Sequence, residues 1–300
     1  MSFVEKHRHS LLSVVMLAIF AASVLTAWSL VRTREAPVTR GAAIMRQIQT
    51  RTLSLVMPRE LVSRWYLLRD RTGVNLGFTA HASMAIDGAY AGFAMVYLPS
   101  NVIYERWQLS KDARTGSYVA PTSDGAEDFI IVLKEGKVAI ALQHSGRRVK
   151  LAPQDAPDNY IPEGLMHPVI SLVAREGQKA MFKSIFNVES VVKDRFYFTT
   201  VTLTPMGPNK VRLEAELPLS GDRLDQVYKL DAGGQIIEID DIQTGQSEKL
   251  VAFDDLLKVF PQARQYKPKD IPLAEPDTQK GAVKEPASQD EEPAPPVAPI

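Results

Sequence analysis

Cysteine is absent from the 300 residues. That removes disulfides, thiolate nucleophiles, Cys-ligated metal sites and a lipid-modified cysteine at the end of a signal. Charge bias is missing as well: 35 Lys and Arg stand against 35 Asp and Glu, so the strongly basic surface of a nucleic-acid binder is not expected. No Gly-rich phosphate loop, HExxH, GxSxG or kinase-like set occurs, which leaves no signature for nucleotide, zinc-protease or serine-hydrolase chemistry. Beyond residue 31 there is no second long apolar run, an argument against a polytopic transporter.

The first apolar run is the most informative feature present. From Ser10 to Val31 the chain reads SLLSVVMLAIFAASVLTAWSLV, uncharged and flanked by Lys6 and Arg8 on one side and Arg32 and Arg34 on the other. A helix of that length rises roughly 30 Å, enough for a bilayer's hydrocarbon core. The competing reading is a cleaved secretory signal, whose apolar part usually measures about 7–15 residues. Ala21-Ala22-Ser23 has small-residue spacing but sits inside the run, and Leu25-Thr26-Ala27 is followed by bulky Trp28. The expectation is therefore a single-pass anchor, with Trp28 suited to an interface. Arg32, Arg34, Arg40 and Arg46 outnumber the preceding Lys6 and Arg8, which taken alone favours a cytoplasmic body. Large downstream domains translocate with little regard to charge, however, and a short basic N-terminus usually stays in the cytoplasm. An exported body, periplasmic or extracellular, is expected.

The chain divides into a basic segment at 1–9, the anchor or signal at 10–31, a linker at 32–52, a β domain at 53–262 and a tail at 263–300. From Gln265 onward proline and charge dominate and aromatics are almost lacking, so a disordered tail is expected, with Ala294-Pro295-Pro296 as a candidate proline-rich ligand.

Between the linker and the tail, short β-like runs alternate with turn signals at the spacing of an antiparallel domain. RWYLLRD meets Arg71-Thr72-Gly73 and then VNLGFTAHASMAID; AYAGFAMVYL stops at Pro99-Ser100-Asn101, and VIYERWQLS follows. DFIIVLK and KVAIALQ flank a turn whose Gly136 supplies positive φ. In KVRLEAELPL, Val211, Leu213, Ala215 and Leu217 alternate with charged residues, the mark of a half-buried strand. LMHPVISLVAREG carries helical spacing at Leu165, Val169 and Val173, with His167 as a candidate cap before Pro168 and Gly177 at the stop. A shorter helical stretch falls near Asp254 to Phe260. About ten or eleven strands joined by hairpins imply a mainly β fold, an antiparallel curved sheet or open β-barrel with one inserted helix lying across its concave side.

This order of elements, together with WYLLRDRTGVNLGFT (Trp65 to Thr79) and its Gly73, Gly77 and Phe78 spacing, resembles exported bacterial β-rich domains, and among named folds the lipoprotein-localisation carriers of the LolA and LolB type. The resemblance implies an unclosed barrel covered by helices and, by extension, lipid or lipoprotein handling. Those carriers have several covering helices where this sequence offers one good one.

Candidate chemistry is sparse. His81, His144 and His167 are isolated in sequence; they fit surface or capping roles, or distant convergence on a site. Glu238 and Asp240 share a strand face and form a conceivable acid/base or cation pair, or an ordinary solvated face. Gly77 and Gly92 inside strands mark curvature. The concave side offers an apolar ligand site or, equally, a filled core, from Leu165, Met166, Val169, Ile170, Val173, Phe182, Phe186, Tyr197 and Phe198. The expected function is a membrane-anchored binding or structural module of the cell envelope, without catalytic residues, metal or cofactor. Expected partners are the membrane through 10–31 and an apolar ligand or an envelope protein. Lipid or lipoprotein handling in an open-barrel cavity is the first alternative, and a hydrolase using dispersed His and carboxylate residues is the second.

Overall fold

A computed structural model describes residues 3–51, 61–86, 89–121, 127–144, 147–186, 190–192 and 195–266. A helix, α1 (Phe3–Arg51), comes first. Eight strands follow: β1 (Val62–Arg69), β2 (Asn75–Ile86), β3 (Ala89–Leu98), β4 (Asn101–Ser110), β5 (Gly116–Pro121), β6 (Glu127–Lys134), β7 (Lys137–His144) and β8 (Arg147–Lys150). After the short β9 (Gln154–Asp155) and a 3-10 turn at Glu163–Leu165 comes α2 (Met166–Glu176). The second half holds β10 (Ala180–Ser184), β11 (Val191–Val192), β12 (Arg195–Phe196), β13 (Thr199–Pro205), β14 (Lys210–Glu216), β15 (Arg223–Leu230), β16 (Ile236–Asp241) and β17 (Ser247–Val251). A last helix, α3 (Phe253–Val259), and a 3-10 turn at Pro261–Tyr266 end the described chain.

One antiparallel sheet of 15 strands takes up all but β11 and β12, in the order β10-β13-β14-β15-β16-β17-β1-β2-β3-β4-β5-β6-β7-β8, with β9 beside β7. Hairpins join nearly every neighbouring pair, as the turn signals predict. At the β6–β7 turn, Glu135 and Gly136 take φ of 53° and 73°, the left-handed pair that closes a two-residue hairpin with the right twist. Non-consecutive strands also pair where β10 meets β13 and β9 lies beside β7, and, farthest apart in sequence, at the seam where β1 pairs β17, Trp65 opposite Val251. The strand number exceeds the expected ten or eleven because RFYFTTVTLTP breaks at Tyr197-Phe198 into β12 and β13, and because β5 and the two-residue β9 and β11 form where no β run was read.

The two ends of the sheet are not paired to each other among the described residues, so the barrel is open. Its concave side buries α2 and the C-terminal part of α1 in one apolar core, with Ile44, Met45, Val169, Ile170, Phe182 and Leu203 at 2% exposure or less. Gly177 caps α2 with φ of 66°, the left-handed stop that the sequence signals. His167 does not cap it: α2 has no side-chain cap, Leu165 stands at the N-cap, and the imidazole lies within the first turn. On the convex side α3 and the final 3-10 turn cover β1–β3. Trp65 packs on Phe253 at 4.8 Å between ring centres, Phe78 stacks on Tyr97 at 4.8 Å, and Leu256 and Ala263 are fully buried. The folded unit thus extends past the expected boundary at 262, and the remainder of the expected tail, 267–300, lies outside the described residues.

Residues 32–51 of the expected linker are helical and part of the body. Pro37, Gly41, Ile44, Met45 and Ile48 of α1 are buried, and Gly41 sits so close to β10 that a Cβ would overlap the carbonyl oxygen of Met181. Arg40 Nη1 donates to Lys179 O at 2.7 Å. Further along the same edge, Ile161 N donates to Lys183 O at 2.7 Å and Asn159 Nδ2 to Met181 O at 3.0 Å. Edge strands left bare invite pairing with other chains; here the edge of β10 is occupied. Among the described residues no helix is long and apolar enough to cross a membrane. Many side chains of Ser10 to Val31, including Trp28, lie outside the described residues, and the expected span falls largely on them. Of those that are described, Met16, Ile19, Phe20, Val24 and Leu25 are exposed by 49% to 67%.

Candidate binding cleft

A cleft of about 870 Å3 opens on the concave side between α2 and the sheet. Strand register builds its polar wall. Arg64 on β1 stands opposite His81 on β2, His81 opposite Ala94 on β3, and Ala94 opposite Glu105 on β4. Directly paired residues project to the same face, so Arg64, His81 and Glu105 form one row across three hairpins, with small Ala94 leaving space between the last two. Trp107, two residues after Glu105, points the same way and is wedged between two glycines: a Cβ at either Gly92 or Gly164 would collide with its ring. Gly92 therefore makes room for the indole, a more specific role than the strand curvature expected of it.

From above, α2 lowers His167 onto the row. The His167 and His81 rings lie 4.8 Å apart, Tyr66 meets His81 edge-on at 5.6 Å, and Tyr228 meets His167 at 6.0 Å. Ser171 Oγ donates to Gly234 O at 2.7 Å and fastens α2 to the β15–β16 turn. Tyr66 donates its hydroxyl to Ile236 O at 3.1 Å across the bend of the sheet.

Low polarity around these groups alters their protonation. Burial, reinforced by the Arg64 charge, pushes His81 down to about 4. His167 goes to about 3 through burial, His81 and Arg64. Both imidazoles are neutral at pH 7. Burial and the neighbouring Glu105 push Glu163 up to about 8, opposed by its hydrogen bond with Ser184. Ser184 Oγ lies 3.0 Å from Ile161 O and 3.1 Å from Glu163 Oε1; its single proton serves one of them, and a protonated Glu163 supplies the other bond. Burial also raises Glu105, against the pull of its hydrogen bond with Tyr118. Glu248 is raised by burial too, while Thr79 Oγ1 donates to it at 2.6 Å.

Arg64 stands apart. No acceptor meets its buried Nε, and among the described residues its side chain takes part in no hydrogen bond or ion pair. The cleft is a mixed surface in which this charged row, the tyrosine hydroxyls, Ser83, Gln226 and Asp231 stand beside Trp107, Met166, Phe186, Leu213 and Leu224.

No family model matches the chain, and no curated protein matches it. Among solved structures it is weakly similar to a DUF1089 family protein from Pseudomonas aeruginosa, with 13% identity and a TM-score of 0.32 over 55% of this chain and 90% of that one. A second weak neighbour, from Bacteroides fragilis, is named as a candidate exported protein with a YmcC-like fold; identity is 6% and the TM-score 0.24 over 65% of this chain and 96% of that one. Neither bears the name of a LolA- or LolB-type carrier.

Of the residues expected to line a ligand site, Met166 and Phe186 do line the cleft. Leu165, Val169, Ile170, Val173 and Phe182 are fully buried in the core beneath it. Phe198 packs with Phe196 and Tyr160 in a separate cluster, and Tyr197 is 47% exposed on the surface. His81 and His167 converge, whereas the side chain of His144 lies outside the described residues. Neither converging ring hydrogen-bonds a carboxylate, and no three metal-ligating side chains gather among the described residues. The conceivable Glu238 and Asp240 pair is bridged by Lys229 Nζ at 3.0 and 2.8 Å, an ordinary cross-strand ion network. Arg64, Glu105, Tyr118, Glu163 and Tyr228 carry the polar wall and were not among the expected site residues. One signal for them exists: Glu105 shares a strand face with Ile103, Trp107 and Leu109, a lone carboxylate among apolar residues.

Proposed function

We propose that the protein is a membrane-tethered binding module of the cell envelope, with an exported half-barrel that holds a small amphiphilic molecule in its concave cleft. The observation that carries the reading is the cleft itself. A volume near 870 Å3 falls in the range of small-ligand sites, about 300–1,000 Å3, and the lining sets convergent polar groups, among them Arg64, His81 and Glu105, beside apolar Trp107, Met166 and Phe186. This is the lipid-handling form of a binding module; a purely structural module has no use for a buried Arg64 Nε without an acceptor in the cleft wall, since such a group costs stability unless something binds it. The tether is supported by the uncharged length of Ser10 to Val31 and by the exposed side chains from Met16 to Leu25, which nothing in the body covers.

The test fills the cleft. Ala94 lines it between His81 and Glu105, and Ala94→Phe places a ring in that gap. Binding of 1-octanol and octanoate to the full-length chain in phosphatidylcholine nanodiscs is expected to weaken about ten-fold or more, with the thermal midpoint nearly unchanged. Equal binding by wild type and variant, or none by wild type, overturns the amphiphile reading.

A further inference from the structure

We infer that the cleft captures an oxyanion, a carboxylate or a phosphate monoester, on the guanidinium of Arg64 beside His81 and His167. This rests on the amphiphile reading and specifies the polar end of the ligand. Arg64 projects from β1 into the cleft, and its buried Nε has no acceptor. Buried polar groups almost always find a partner, and a charged donor left without one is costly. A guanidinium offers its N–H groups as a planar fork that matches two oxygens of a carboxylate or phosphate.

The neighbouring carboxyls do not fill that role. Glu248 accepts from Thr79 at 2.6 Å, Glu105 is hydrogen-bonded with Tyr118, and Glu163 is bonded with Ser184 at 3.1 Å. No ion pair joins any of them to Arg64 among the described residues. The groups facing the guanidinium in its row are instead the two imidazoles, which touch each other at 4.8 Å. A neutral imidazole carries one N–H, so each ring is able to add a donor to an anion held by Arg64. Behind the anion, Trp107, Met166, Phe186 and Leu224 furnish an apolar wall for a hydrocarbon chain.

The experiment titrates the full-length chain in phosphatidylcholine nanodiscs, corrected for empty discs, with octanoate, octyl phosphate, 1-octanol and inorganic phosphate. The expected result is that octanoate and octyl phosphate bind about ten-fold or more tightly than 1-octanol. Arg64→Gln should erase that preference, and Arg64→Lys should retain part of it. A salt series on the wild-type protein, from about 0.05 to 0.5 M, gives a reading that needs no variant: the anionic probes weaken and 1-octanol does not. Equal binding of charged and neutral probes, unchanged by Arg64→Gln and by salt, overturns the oxyanion site while leaving the amphiphile reading standing. Inorganic phosphate bound in an Arg64-dependent manner, with no alkyl probe bound, upholds the anion site for a free phosphate and removes the amphiphile reading. No binding of any probe defeats both.

Discussion

Residues in the cleft wall have opposite dependences on acidity, and the balance is measurable. Glu163 at about 8, against an ordinary 4.5, binds its proton more tightly folded than unfolded; its contribution is complete below pH 4.5 and is lost as pH rises through 8. His81 at about 4 and His167 at about 3, against 6.5 unfolded, do the reverse: their contribution is present above pH 6.5 and is lost as pH falls towards 4 and below. Each titrating group changes stability by at most about 1.4 kcal/mol per pH unit within its window. Thermal midpoints are therefore expected to peak near pH 6.5 and to fall on both sides. Glu163→Gln should flatten the decline between pH 6.5 and 8 and steepen the acid limb between pH 4.5 and 6.5, where Glu163 opposes the histidines; a variant that melts with the wild-type profile at alkaline pH would refute this account of Glu163. The same residues show where reading the sequence stops. Counting back evenly from Arg69 opposite Asn75 sets Ala80 against Arg64 and turns His81 to the other face. A register shift at Leu68/Arg69 instead brings His81 opposite Arg64. A slip of one residue reverses every side chain of a strand, and no local pattern announces it.

Among the elements, strands bounded by clear turns were the most legible. KVRLEAE alternates in burial as it alternates in polarity, and α2 ends at the glycine that stops it. The helical run after Val31 was not legible, because its apolar residues are few: Ile44, Met45 and Ile48 make a narrow stripe between polar neighbours. What holds it is fit against β10 more than amphipathicity, and the fit depends on Gly41. Gly41→Ala drives a methyl group into the Met181 carbonyl, so α1 must move away from the sheet. Overpacking of this kind costs about 1–3 kcal/mol. The expected signature is faster amide exchange in residues 42–51 and 180–184, with β14–β16 unaffected; uniform exchange across the body would show that α1 docks independently of that contact.

At the scale of the whole molecule, the curled antiparallel sheet was foreseeable from hairpin spacing, and the cleft was foreseeable only as a concave side. Which side chains meet there depends on contacts between segments far apart in sequence, such as His81 with His167, and periodicity within a segment carries no information about these. The compartment of the body is a property of the full chain. A phosphatase joined after Tyr266, where the convex cap ends, is expected to be active only when exported; activity confined to cytoplasmic reporters would reverse the proposed orientation and with it the source of any ligand.

The seam between β1 and β17 has a consequence for the life of the chain on the ribosome. Trp65 and Val251 are partners 186 residues apart, so the first strand of the sheet emerges with one side unsatisfied until nearly all the rest has been made. At synthesis rates of about 5–20 residues per second that interval lasts on the order of ten to forty seconds. Pairings this distant also rank among the slow steps of folding. For that time the β1 edge is a nascent-chain hazard, open to capture by chaperones or by another copy, and β17 is the segment whose arrival ends it.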